Sequence, residues 1–298
     1  MRRLLPRLSV ELAFGAALAV LCGCEIVGGY EQFSLRTQIA EGGVDGAVDA
    51  GDGPADAASP STCSDVALRN IKGSRMIAHD YGAGCFWMDE TEVSRAQYQE
   101  FLNDAGAPAL EGPCAGNLLT PAPLDGDGGE SCASADRIRI TQASDHPVVC
   151  VDWCDANAYC TWAGKTLCRD DSNQAGAASR SDWYAACSNG GKTAQPVGAG
   201  APPNSCNWSD NTDTGCDEPT SACTTVAIGA LESCRSQAGV LHLSGNVSEW
   251  TSSCDGQQCV TRGGAMNTSA GETRCEAYRA QSRVLRDATL GFRCCLRP

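Results

Sequence analysis

The chain has 298 residues, a formal net charge of −14 and 42% hydrophobic residues. So large an acidic excess repels polyphosphate and anionic headgroups, which disfavours nucleic acid and anionic membrane surfaces as partners; it suits calcium, cationic ligands or solubility alone. Twenty cysteines would be a liability in a reducing cytosol and point to an oxidising compartment.

The N-terminus reads as an export signal. Arg2, Arg3 and Arg7 precede an apolar run from Leu12 through Leu21, too short to span a bilayer. The run ends in Leu21-Cys22-Gly23-Cys24, the form of a bacterial lipobox. Residues 1–23 are then a cleaved leader, and Cys24 carries a lipid on its sulfur. An ordinary secretory signal with Cys24 a plain thiol is the other reading, and both export the chain. Glu25 is not the Asp of a common inner-membrane retention signal, which favours the outer membrane. Residues 24–62 are rich in Gly, Ala and Asp with no apolar periodicity, so they are expected to remain a disordered tether. Its reach as a flexible chain is about 35 Å.

Residues 63–298 are long enough for one sizeable domain. Cys85–Val93 reads as a strand. Ser94 is an N-cap for a helix over Arg95–Asn103, with Tyr98, Phe101 and Leu102 on one face. His146–Trp153 reads as a short apolar strand. Asp152 or Asp155 caps a second helix running through Trp162, which Gly164 ends. Ser181–Cys187 is a third short helix, and Gly291–Leu296 a final strand. Stretches 104–135, 188–224 and 252–273 read as long loops. The fold class is therefore α+β, irregular and loop-rich, with few helices and short strands.

Once Cys22 leaves with the leader and Cys24 takes the lipid, an even number of cysteines remains. They are spread along the chain without C-x-x-C knuckles, so disulfide staples are expected rather than zinc.

Six phrases in order resemble one family. They are Phe86–Tyr98, His146–Lys165, Ser181–Gly191, Leu243-Ser-Gly-Asn-Val-Ser-Glu-Trp250, Arg262-Gly-Gly264 and Leu290-Gly-Phe-Arg-Cys294. Together they resemble the formylglycine-generating-enzyme, or sulfatase-modifying factor, domain, a variant of the C-type-lectin-like fold. The resemblance implies a disulfide between Cys160 and Cys294. A second family bridge starts at the position of Cys187; its usual partner falls near Ala280, so Cys275 is taken in its place.

Active members of that family oxidise a substrate cysteine to formylglycine with two cysteines holding copper(I), an ion suited to soft thiolates. Counting from Tyr278-Arg279 puts Cys275 at the second copper position and Ala270 at the first; counting from the glycines puts Thr268 there. One thiolate cannot make the two-sulfur site, so Cys275 is only a weak catalytic candidate and copper is not expected. A branch resembling the sulfoxide synthases would need a three-His iron site, and the chain's histidines, His79, His146 and His242, read as unrelated. The family also carries calcium on loop oxygens. Here the corresponding residues are Gly245, Asn246, Val247 and Glu249, with Asn207 for a possible second site; hydrogen-bonded loop ties are the alternative for Asn246 and Glu249. Trp250, Arg262, Arg279, Arg283 and Arg293 are candidates to line a cleft, or to pair with carboxylates.

The expected function is a lipid-anchored, non-catalytic binding or structural module of the cell envelope, presenting loops to a glycan, peptide or envelope protein. The alternative is a divergent formylglycine-generating or other metal-dependent oxidoreductase.

Overall fold

A computed structural model describes residues 63, 71–81, 84–104, 108–121, 132, 143–171, 179–199, 202–214 and 223–298. All of them fall within one compact unit, Asp56–Pro298. The leader, Cys24 and the tether lie outside the described residues.

Each helix starts where a side chain satisfies the free backbone amides of a first turn. Helix α1 (Arg95–Asn103) begins at Ser94, which forms a reciprocal capping box with Gln97. Helix α2 (Trp153–Trp162) begins at Asp152, boxed with Asp155. Helix α3 (Asp182–Cys187) is capped by Ser181. The caps settle the one place where the sequence left a choice: Asp152 is the cap, and Asp155 closes the box behind it.

The first sheet has the order β1-β2-β8-β3, from β1 (Met76–Asp80), β2 (Cys85–Asp89), β3 (Thr166–Leu167) and β8 (Cys294–Leu296), all antiparallel neighbours. The second has the order β6-β5-β4-β7, from β4 (Ser248–Asp255), β5 (Gln258–Arg262), β6 (Tyr278–Ser282) and β7 (Leu290–Phe292), with β4 and β7 parallel. Between α1, α2 and the second sheet lies an aromatic core. Tyr98, Phe101, Tyr159 and Phe292 are buried there, with Trp162 at its edge. Tyr159 stacks on Tyr98 with ring centroids 5.8 Å apart and meets Phe292 edge-on at 5.4 Å. Each such burial contributes about 1.5–3 kcal/mol.

Four sequence expectations change, the first being the strand over Cys85–Val93, which ends at Asp89. His146–Trp153 is not a strand: it makes an isolated bridge from Pro147 to Ser94, and Cys150 takes a positive φ of 65°. Its amides bond to unrelated segments instead, Val148 to Val93 and Cys150 to Asp287. The expected loop 252–273 contains the end of β4 and all of β5. Gly256-Gln257 turns this hairpin between the Asp255–Gln258 pair, with Gly256 at φ +58°, and Cys254 is bonded to Cys259 across it. The final strand is broken at Arg293, so β7 joins one sheet and β8 the other.

That break places a wholly buried guanidinium at the junction of the two sheets. Arg293 Nε and Nη2 donate to the two oxygens of Glu249 on β4 at 2.8 and 2.7 Å. Its remaining donors reach the carbonyls of Asp89 on β2 at 3.1 Å and of Leu241 at 2.8 Å. Removing one partner of such a pair strands a buried charge. Glu249→Ala is therefore expected to destabilise the domain by about 3–5 kcal/mol. Glu276→Gln, which breaks the half-exposed pair with Arg274, is expected to cost less than about 1 kcal/mol. Urea unfolding with the disulfides intact measures both, and equal losses would remove the junction role.

Candidate functional site

Two loops converge where the family phrases lie: the Gly245-Asn246 turn before β4 and the Arg262-Gly263-Gly264 exit from β5. Gly245 has φ +76°, and a Cβ there would sit 2.2 Å from the carbonyl oxygen of Asn207. This closeness lets the Asn246 N–H donate to that same oxygen at 2.7 Å, while the Gly245 N–H donates to Gly263 O at 2.9 Å. The Asn246 side chain then bonds Asn207 again and ties two further segments. Its Oδ1 accepts from Asn207 Nδ2 at 3.1 Å and from the Val226 N–H at 2.9 Å, and its Nδ2 donates to Glu92 Oε1 at 2.9 Å.

Glu92 had no role in the sequence reading. It is one of the acids of Asp89-Glu90-Thr91-Glu92, and nothing in the spacing separates it from Glu90, which pairs with Arg75 and Arg235 near the surface. In the structure Glu92 is wholly buried, with Oε2 making no hydrogen bond. Burial pushes its carboxyl up to about 7, against the opposing pull of Arg293. His242 Nε2 donates to Ala230 O at 2.7 Å, which leaves Nδ1 as a bare acceptor 3.9 Å from Glu92 Oε1. Burial lowers that imidazole to about 4, so His242 is neutral through the physiological range.

The residues considered for calcium are thus brought to one place, but most of their polar atoms are committed. Glu249 takes two bonds from Arg293 and one from Trp183 Nε1 at 2.8 Å; it anchors the sheets and does not face an open site. Val247 packs with Val149, Cys150 and Ala288. Asn246 holds loops together. The open oxygen in this group is Asn207 Oδ1, buried and without a hydrogen bond.

Arg262 ends β5 and is buried. Its Nε and Nη2 donate to the carboxylate of Asp170 at 2.6 and 3.0 Å, and Nη1 reaches the carbonyls of Cys275 and Glu276. Gly264 follows at φ +64°, where a Cβ would meet Thr273 at 2.8 Å and Thr268 at 3.0 Å. The loop beyond is pinned by its own polar groups. Thr268 Oγ1 accepts from the Ala265 N–H at 3.0 Å, and the Ala270 N–H donates to Asp210 Oδ2 at 2.9 Å.

Cys275 is wholly buried and bonded to Cys187. It offers no thiolate, and Thr268 and Ala270 supply none. Cys160 is bonded to Cys294. Among the described residues no group of three or more His, Cys, Asp and Glu side chains is placed to hold a metal. The three histidines have separate partners: His79 stacks on Phe86 at 4.8 Å, His146 Nδ1 lies 2.8 Å from Thr225 Oγ1, and His242 bonds Ala230. Of the cleft candidates, Trp250 is core and Arg293 is committed to Glu249. Arg283 bonds Gly256 O and Gln257. Arg262 and the exposed Arg279 border a shallow depression of about 30 Å³ with Tyr278.

The profile of the sulfatase-modifying factor enzyme 1-like domain matches residues 56–298. The chain belongs to this family. It is 33% identical over 103 residues to the formylglycine-generating enzyme of Mus musculus, covering 28% of this chain and 27% of that protein. It is 30% identical over 115 residues to the enzyme of Bos taurus, covering 32% and 29%. Each match spans under a third of the relative's own length. Similar solved structures include PvdO from Pseudomonas aeruginosa, with a TM-score of 0.48 at 17% identity over 75% of this chain and 90% of that one. Treponema denticola variable protein 1 has a TM-score of 0.46 at 15% identity over 76% and 93%.

Two measurements test this sulfatase-modifying-factor site. Gly245→Ala is expected to destabilise by more than about 2 kcal/mol through left-handed strain and backbone collision. Gly229→Ala, where a Cβ meets nothing within 4 Å, is expected to stay within about 0.5 kcal/mol. The second concerns pH. A carboxyl raised by burial contributes stability in full below its ordinary 4.5 and loses it as pH climbs through about 7. His242 has the opposite sign, its contribution present above 6.5 and lost toward 4, but it is common to both proteins. The melting temperature of Glu92→Gln is therefore expected to gain on that of the parent between pH 4.5 and 7; a constant difference would contradict the assignment.

Proposed function

We propose that this chain is an exported, lipid-anchored, non-catalytic binding module of the cell envelope, built on a sulfatase-modifying factor domain. The observation that supports this most is the Cys187–Cys275 bond. At the position where the resemblance implies a copper-binding thiolate, the sulfur is oxidised, buried and used to join two loops. Thr268 and Ala270, the candidates for the other position, have no soft donor. The short apolar leader, the lipobox form of Leu21–Cys24 and the disulfide-rich domain support export. The ligand on this reading is a glycan, peptide or envelope protein recognised by the loops.

Alkylation of the denatured, unreduced domain is expected to label no cysteine between residues 63 and 298, and incubation with copper(I) and a cysteine-bearing substrate peptide to yield no formylglycine. Labelled Cys275 together with peptide oxidation would replace this reading with the oxidoreductase one. Calcium is a secondary proposal resting on the unsatisfied Asn207 Oδ1. Added calcium is expected to raise the melting temperature with concentration, and Asn207→Ala to abolish that rise. An unchanged melting curve would remove the metal.

A further inference from the structure

Beside the Cys187–Cys275 staple is a cleft of about 420 Å³, lined by Lys192, Thr193, Ala194, Gln195, Gly198 and Arg274 among others. We propose that it binds a small hydroxylated organic anion, of the sugar acid or sugar phosphate class. The proposal deepens the binding-module reading and rests on it.

Charge is the first argument. The chain carries a net charge of −14, yet the charged residues lining this cleft are both cations, Lys192 and Arg274. A local positive site on an acidic surface attracts a small anion that the rest of the surface repels. Lys192 is exposed and makes no ion pair among the described residues. Arg274 pairs with Glu276 at 3.4 Å, both about half exposed. An exposed pair of this kind is weak, so the guanidinium is available to a ligand oxyanion.

Polarity and size are the second. Thr193 Oγ1 is buried and has no hydrogen-bond partner, so a hydroxyl of the wall awaits a polar group. No aromatic or long aliphatic side chain lines the cleft, which disfavours an apolar ligand. The volume lies in the range of small-molecule sites.

Rigidity is the third. One wall, residues 192–199, follows α3. The amides of Lys192 and Thr193 donate to Ser188 O at 2.8 and 2.9 Å, and the Gly191 N–H donates to Ser188 Oγ at 2.8 Å. The other wall is the 270–275 loop. The two are joined by the Cys187–Cys275 bond, by the Cys275 N–H donating to Ala194 O at 2.9 Å, and by Gln195 Nε2 donating to Ala270 O at 2.6 Å. The cleft is therefore formed before a ligand arrives, which spares the ordering cost of binding. The Cys187–Cys275 bond thereby holds the two walls of the anion site in place.

Isothermal titration of the full exported chain with glucuronate, glucose 6-phosphate, inorganic phosphate and glucose tests the assignment. Both organic anions are expected to bind, with glucose at least about tenfold weaker, and added salt to weaken the anions alone. The double variant Lys192→Glu, Arg274→Glu, at exposed positions, is expected to lose at least about tenfold in affinity for both anions. Thr193→Val is expected to weaken the organic anions and leave inorganic phosphate unchanged. Equal binding of glucose, unchanged affinity in the double variant, or no binding of any anion would each overturn the proposal. Absent anion binding with no free thiol sinks this site and leaves the binding module standing. Free thiols with peptide oxidation sink the module itself.

Discussion

A guanidinium that cannot reach water governs this fold. Arg293 stands between β7 and β8, and it must find anionic or carbonyl oxygen in every direction its fork points. Glu249 supplies the charge from one sheet, Asp89 O a bond from the other, and Leu241 O a third direction. Meeting these demands fixes the angle at which the chain leaves the second sheet and enters the first. A hydrophobic residue of similar volume could be as stable in principle, but it would not specify which segments meet there.

Around that junction the disulfides do what a small, irregular core cannot. Cys294 and Cys295, the first residues of β8, are bonded back to Cys160 and Cys168, closing sequence separations of 134 and 127 residues. Loops of that length lose the most freedom when cross-linked, about 4–5 kcal/mol each in the chain-entropy account. The short strand β8 is thereby held against β2 and β3 although it pairs through few residues. With the frame secured covalently, long connecting loops can diverge in sequence without unfolding the domain.

The Cys187–Cys275 bond extends this logic to the cleft between residues 192–199 and the 270–275 loop. A thiolate at position 275 would be a soft metal ligand; a disulfide there is inert toward metal and gives rigidity instead. The same sulfur chemistry thus serves structure, and the neighbouring cleft inherits two fixed walls with cations on both.

Local signals made much of this legible in advance. Ser94, Asp152 and Ser181 announce helices because a cap needs only a few neighbouring residues. Tyr98, Phe101 and Tyr159 mark a core because their spacing fits a helix face. The ordered phrases from Phe86 to Cys294 carry the family because that order survives divergence. Other features were decided by residues far apart in the chain. Gly256-Gln257 turns a hairpin because β5 finds a partner in β6 as well as in β4. Glu92 is buried against Asn246, while Glu90, two residues earlier, meets Arg75 and Arg235 near the surface. Lys192 and Arg274 share a cleft because the Cys187–Cys275 bond and two hydrogen bonds join their distant segments. The sequence by itself determined the three helices, the oxidised character of the domain and its family. The tertiary structure alone decided which carboxylates are spent on arginines and where cations remain exposed, because burial and charge pairing depend on the whole chain's packing.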